Sequence, residues 1–220
     1  MTVTTKTLGM MYYFAGLNAD ELEVVKRYIA FEKKVEKGQT ILHEEDESEY
    51  MYLIVSGAVK VYKRSVNGKE QILNIASTGE SLNDVSTFDG GDSAMDMLAT
   101  TPVYLLAIKK ADIKALFARF PQIAINVAGV LATKVRRDSS LVEVLSFDQV
   151  ISRLARLILK QTDAEKSLLP LFTQQDLAAM VGTSRVVVNR SLKAMEDAGA
   201  IKLERRRIVV TDKEALKNLV

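Results

Sequence analysis

Apolar and polar positions change rhythm along this chain. Between residues 39 and 108, short runs rich in β-branched and aromatic residues are bounded by glycines and polar clusters: 39–43, 50–56, 58–64, 71–75 and 103–108. Such runs predict strands. Between the third and fourth lies VNGKE, where Asn67-Gly68 supplies the positive φ angles of a tight hairpin. Glycines at 38, 57, 68, 79, 90 and 91 punctuate the series, and helical patterns at 19–31 and 110–120 flank it. A sandwich, jelly roll or barrel with flanking helices is expected.

After Pro121 the period lengthens. In FPQIAINVAGVLATKVRRDSSLVEVLSF, residues Ile123, Val127, Val130, Leu131, Val135, Leu141, Val142 and Leu145 recur three and four apart. This predicts one long helix with an apolar stripe. The stripe either lies on its own domain or pairs with its twin across a two-fold axis in a coiled-coil-like seam. Phe147-Asp148 follows as a hinge, with Ser146 or Asp148 placed to cap a helix over 149–160.

A third pattern occupies TQQDLAAMVGTSRVVVNRSLKAMEDAGAI. Thr173 with Asp176 three residues on has capping-box spacing, and Gly182 stands where a positive φ ends a helix. A second helix starts at Thr183 or Ser184. On it Val188, Leu192 and Met195 share one face, whereas Arg185, Val186, Asn189, Arg190 and Lys193 share the opposite one. Two helices about a glycine turn, the second offering basic and polar groups from its N-terminal end, suit entry into a DNA major groove. IKLERRRIVVTD then predicts a β-hairpin wing with Arg205, Arg206 and Arg207 at its tip, fit for phosphate contact.

Charge supports this division. Residues 1–146 hold 17 Lys+Arg against 19 Asp+Glu, net −2; residues 147–220 hold 13 against 9, net +4. The basic end is the C-terminal one. Zero cysteines exclude disulfides, thiolate zinc and a cysteine nucleophile, and the single histidine, His43, cannot build a multi-histidine metal site. No run approaches the roughly 18 apolar residues of a membrane span, and MTVTTKTLGMMYYF lacks signal-peptide organisation, so a cytoplasmic location away from membranes is expected. P-loop, nucleophile-elbow and dinucleotide motifs are missing, so an enzyme is not expected.

The residues just quoted, together with GLNADELEVV, GQTILHEED, YLIVSGAVKVYK and GESLNDVSTFDGG, resemble the Crp/Fnr family of bacterial transcription regulators, from Phe14 to the C-terminus. The resemblance implies an α+β protein. Residues 1–120 would form a cyclic-nucleotide-binding-type β-roll (jelly roll) sensor, 121–146 a long central dimerisation helix, and 147–220 a winged helix-turn-helix. It implies a homodimer on a near-palindromic double-stranded operator, with RNA polymerase as a candidate partner. DNA contacts would come from Thr173, Thr183, Ser184, Arg185, Val186, Asn189, Arg190, Lys193 and the three wing arginines. Arg185 aligns with the family's first base-reading arginine and Arg190 with its second basic contact. Where the family most often has glutamate, this chain has Val186, which can meet a thymine methyl group; A·T is expected beneath it.

The implied effector pocket departs from the family. Asn83-Asp84 stands where cyclic-nucleotide binders have Gly-Glu, Asp92-Ser93-Ala94 where they have an arginine triplet, and Asp138-Ser139 where the central helix reads adenine. An anion replaces the phosphate-neutralising cation, turning attraction into penalty. No useful affinity for cyclic AMP or cyclic GMP is expected, and no cofactor. The readings left are an unknown small organic effector, a cation drawn to Asp84, Asp92 and Asp138, or no effector, with each carboxylate solvated or paired with Arg136 or Arg137. The alternative to a DNA-binding regulator is a sensor subunit that binds a small molecule without DNA.

Overall fold

The computed structural model describes residues 3–162, 172–204 and 207–220. The chain divides into two compact units, Met1–Arg64 with Leu73–Arg137 and Ser65–Ile72 with Asp138–Val220. The first opens with α1 (Thr5–Gly9), a 3-10 turn (Tyr12–Phe14) and α2 (Ala19–Lys26). Strands β1 (Ile29–Val35), β2 (Thr40–Leu42), β3 (Tyr50–Ser56), β4 (Ala58–Arg64), β5 (Glu70–Ser77) and β6 (Ser81–Leu82) follow, then α3 (Asp84–Asp89), β7 (Asp96–Ala99), β8 (Val103–Lys109), α4 (Lys110–Arg119) and the long α5 (Pro121–Phe147), of which the start of β5 and the part of α5 after Arg137 belong to the second unit.

Two four-stranded sheets, ordered β1-β8-β3-β6 and β2-β7-β4-β5, make the roll. Strand β8 shows how the cores are divided. Leu105 and Ala107 join Ile54, Val59, Val61 and Met97 from both sheets, whereas Leu106 and Ile108 join Leu8, Met11, Phe14, Val25, Leu116 and Ile123 on the helical side. Alternate residues of a strand point to opposite faces, so a strand buried on both reads as the continuous apolar run VYLLAI. Gly57, at the β3–β4 corner, has φ 95°, and a Cβ there would lie 2.4 Å from the carbonyl oxygen of Pro102. Any side chain would force the corner open.

Three expectations need correction. The helix expected over 19–31 ends at Lys26, and Ile29–Val35 pairs with β8 instead. Asn67 does not take a positive φ; only Gly68 does, at 73°, and its N–H donates to the Ser65 carbonyl. A turn closed by one left-handed glycine replaces the two-residue hairpin. The apolar stripe of α5 also splits. Ile123 and Val127 are buried in the core of the roll with Val130 and Leu131 packed against it, Leu141 and Leu145 are half-buried, and Val135 and Val142 stand open. The first four pack on their own domain.

In the second unit α6 (Val150–Thr162), α7 (Gln174–Val181), α8 (Arg185–Asp197), β9 (Ile201–Glu204), β10 (Arg207–Val210) and α9 (Lys213–Lys217) enclose one core. Leu154, Ala155, Ile158, Leu177, Val181, Val188, Leu192, Met195, Ile201 and Leu216 fill it. Strands β9 and β10 pair antiparallel, Arg207 opposite Glu204.

Candidate functional site

Two groups of polar residues were singled out by the sequence, and the fold treats them oppositely. The first lies on α7 and α8. Thr173 accepts from the Asp176 N–H at 3.1 Å while the Asp176 carboxylate accepts from the Thr173 N–H at 2.9 Å, a reciprocal cap that fixes where α7 starts. Gly182 ends it with φ 68°. The Ser184 hydroxyl accepts from the Val187 N–H and starts α8 two residues later. With both ends set, the helical period does the rest. Val188, Leu192 and Met195 point into the core, and Arg185, Val186, Asn189, Arg190 and Lys193 are exposed.

Val186 is an apolar side chain 77% exposed at the start of a basic helix. Beside it the Arg185 Nε–H donates to Gln174 Oε1 at 3.4 Å, a partner that sequence reading passed over although it follows the capping threonine directly. Lys193 sits one turn before two carboxylates, Glu196 at 3.0 Å and Asp197 at 3.2 Å, whose hydrogen bonds hold its pKa above the usual lysine range. Glu196 is held low chiefly by the Leu203 N–H, which donates to it at 2.8 Å and ties α8 to the wing hairpin. Thr173 and Ser184 are exposed, Thr183 half-buried and Arg207 exposed on β10; Arg205 and Arg206 lie outside the described residues.

The second group is the expected effector pocket, where Asp84 is closed off by partners of its own. Asp84 is only 5% exposed. The Tyr13 hydroxyl donates to its Oδ1 at 2.6 Å, and the Lys134 ammonium pairs with its Oδ2 while also donating to the Ser81 carbonyl at 3.1 Å. Burial, and then the facing carboxylate, push the Tyr13 phenol far above its ordinary pKa, so it remains a donor at any physiological pH. Asn83 precedes Asp84 in a left-handed conformation, φ 66°, and its amide donates to the Tyr50 carbonyl at 2.9 Å. Tyr13 and Lys134 were missed in the sequence, being 71 and 50 residues from Asp84. The carboxylate expected to pair with Arg136 or Arg137 takes a lysine one turn earlier.

Asp92 is elsewhere. It is exposed on an open groove of about 630 Å³ whose lining includes Glu47, Glu49, Lys109 and Lys110. Ser93 is buried and donates to the Met95 carbonyl. Asp138 and Ser139 are exposed on α5. Among the described residues no three His, Asp or Glu side chains form a group able to hold a metal ion. His43 directly follows β2, with its Nδ1 3.2 Å from Asp96 Oδ1.

Comparison with known proteins fits both halves of this geometry. Residues 32–120 match the cyclic nucleotide-binding domain, and residues 152–219 the Crp-like helix-turn-helix domain. The cyclic AMP receptor protein of Thermus thermophilus is 30% identical over 209 residues, covering 94% of this chain and 95% of that one. The chain belongs to the Crp/Fnr family. A CRP-like cAMP-activated global transcriptional regulator of Mycobacterium tuberculosis is 28% identical over 187 residues, covering 82% of this chain and 84% of that one. Among solved structures, the c-di-GMP responsive regulator CLP of Xanthomonas campestris shares the fold, with a TM-score of 0.80 at 18% identity, covering 88% of this chain and 99% of that one.

Crp/Fnr membership makes this chain a transcription regulator with a helix-turn-helix DNA-binding domain. Helices α7 and α8 and strands β9–β10 lie within the residues that match that domain. No single helix among the described residues is long and apolar enough to cross a membrane.

Proposed function

We propose that this regulator works as a cytoplasmic two-fold dimer, without catalytic activity, that reads a near-palindromic operator through α8 and does not answer to cyclic AMP or cyclic GMP. The observation carrying the DNA reading is the exposed row Arg185, Val186, Asn189 and Arg190 on a helix whose other face is fully buried. Arg185 offers a planar fork to guanine O6 and N7, and Gln174 holds it at its Nε so that the two terminal nitrogens remain for the base. Val186 can only add apolar contact, which favours a thymine methyl over cytosine. Arg190, the wing arginines, Thr173, Thr183 and Ser184 would bind phosphate and set register.

For the dimer, the supporting observation is a second stripe on α5. Ile125, Ala128, Ala132, Val135, Ser139 and Val142 alternate three and four apart and are all exposed, with Val135 and Val142 each at 64%. That is heptad spacing, with small residues that let two helices approach. On this reading the seam uses these residues in place of the stripe first read from the sequence. A carboxylate within it would be buried without a partner, at a cost of several kcal/mol. Val142→Asp should therefore raise the dimer dissociation constant by about 100-fold or more. Sedimentation equilibrium decides it, and an unchanged dimer would remove the seam.

Against cyclic nucleotides stands the closed state of Asp84 and the absence of a cation at 92–94. Relatives carry cyclic AMP in their names and a structural neighbour carries c-di-GMP, so the fold alone leaves the ligand open. Selection of duplex DNA on the purified dimer, with and without cyclic AMP, tests the whole proposal. A palindrome with A·T beneath Val186, recovered equally in both arms, is expected. A requirement for cyclic AMP, or micromolar cyclic AMP binding by calorimetry, overturns the ligand part; an unchanged C·G requirement overturns the role of Val186.

A further inference from the structure

The buried cluster around Asp84 ties three separate segments of the first unit. The 3-10 turn contributes Tyr13, whose hydroxyl reaches Asp84 Oδ1 at 2.6 Å. The roll contributes Asp84 itself, at the start of α3, and Ser81 of β6. Helix α5 contributes Lys134, which pairs with Asp84 and donates to Ser81, and about two turns earlier contributes Asn126. The Asn126 amide donates to the backbone carbonyls of Tyr13 at 3.1 Å and Ala15 at 2.8 Å, so the same turn is held to α5 twice.

Along α5 these anchors come in order. Ile123 and Val127 are buried, Asn126 is bonded to the turn, Val130 and Leu131 pack on the core, and Lys134 makes the last contact of this kind before exposed Val135. Lys134 lies between Ala132 and Val135, two positions of the exposed heptad stripe. Whatever fixes the rotation of α5 at Lys134 fixes which residues of the stripe face outward, because a helix turns by a set angle per residue.

We infer that Tyr13, Asp84 and Lys134 form an internal clamp that sets the rotational phase of α5 on the β-roll, so that the dimer seam is presented and DNA is bound with no ligand in the sensor. The inference rests on the dimeric DNA-binding reading above and adds to it the device that makes a ligand unnecessary. Each partner satisfies the others: the carboxylate accepts from a phenol and an ammonium, and the ammonium spends a further hydrogen on the Ser81 carbonyl. A buried pair completed in this way specifies one arrangement, since any rotation of α5 leaves a charge unpaired. Lys134 and Asp84 are positioning residues and touch neither DNA nor the partner's seam in this account.

The test uses the full-length protein, unliganded, on the palindrome recovered by selection. Asp84→Asn with Lys134→Met removes both charges and so avoids stranding either one. The double variant is expected to keep its far-ultraviolet circular dichroism and cooperative unfolding. Its dimerisation and its DNA affinity should each fall by about ten-fold. Lys134→Arg keeps the cation and should stay within about three-fold of wild type, a rescue that simple loss of packing would not produce. Tyr13→Phe, which deletes one oxygen, should give a smaller loss in the same direction. A folded double variant with unchanged dimerisation and DNA affinity overturns the clamp while leaving the DNA reading intact. Wild type that binds the palindrome only after cyclic AMP is added overturns it as well. A folded wild type that selects no sequence in either arm defeats the DNA reading itself, and the clamp with it.

Discussion

Helix α8 and the corner at Asp84 carry similar side chains to opposite ends. On α8 the polar groups are delivered to the surface and most of their donors are left over: Arg185 spends one N–H on Gln174, and Val186 stands open. At the corner both oxygens of Asp84 and two hydrogens of Lys134 are consumed inside the protein. A surface that recognises a partner must keep unused hydrogen-bonding capacity, whereas a buried group must use all of it or pay the desolvation cost. The difference separates binding chemistry from structural chemistry without reference to residue type.

Exchanging what is measured at the two places breaks or upholds that contrast. The largest effect belongs to the closed corner. Asp84→Ala strands Lys134 and leaves Tyr13 without an acceptor, and should cost about 3 kcal/mol of stability by denaturant unfolding, near the low end for a broken buried pair. It is near the low end because the Lys134 side chain keeps 24% of its surface in water and can turn outward. Stability within 0.5 kcal/mol of wild type, a surface-like result, would place Asp84 among the exposed groups after all. Arg185→Ala should do the reverse, leaving unfolding unchanged and weakening operator binding by about 1–3 kcal/mol per half-site. Titration of operator against a scrambled duplex checks it, and loss on both alike would make Arg185 a phosphate contact.

Val186→Glu sharpens the comparison further, since it adds acceptor capacity to the open face without touching the fold. Discrimination at the base pair beneath it should move toward C·G by about 1–3 kcal/mol, read from selected sites. Unaltered site preference would mean that position 186 does not face a base.

How much of this was legible in the sequence follows from the range of the interactions involved. The helix-turn-helix was readable in full outline because its determinants are local: a cap three residues from its partner, a glycine at a helix end, and a helical period. Strands β3 and β4 were readable for the same reason. Strand β1 was misread because Leu22 and Val25 set a helical rhythm that continues through Tyr28 and Ile29, and pairing with β8, some seventy residues on, overrides it. β6 and β7 are two and four residues long, too short to show a period. The α5 stripe was found, but the sequence did not separate Ile123 and Val127, which the roll buries, from Val135 and Val142, which stand open. Asp84 gave no local sign of closure, as its partners lie far away in sequence.

The smallest expected effect tests the edge of the open face. Lys193 belongs to the row that α8 exposes, yet it alone there has two anionic partners, Glu196 and Asp197, each within 3.2 Å. Exposed pairs are worth about 0–1 kcal/mol, so a phosphate could displace them, but a lysine leaving two carboxylates gains less than one leaving water. A carboxylate pair left behind would also repel the DNA backbone. Lys193→Ala should then lower operator affinity by well under 1 kcal/mol and reduce the salt slope by less than the ~1 unit expected for a full phosphate contact, where Arg190→Ala should remove that unit. Equal slopes for the two variants would show that Lys193 trades its carboxylates for phosphate on binding, and that side-chain pairing in the free protein marks a functional face less sharply than burial does.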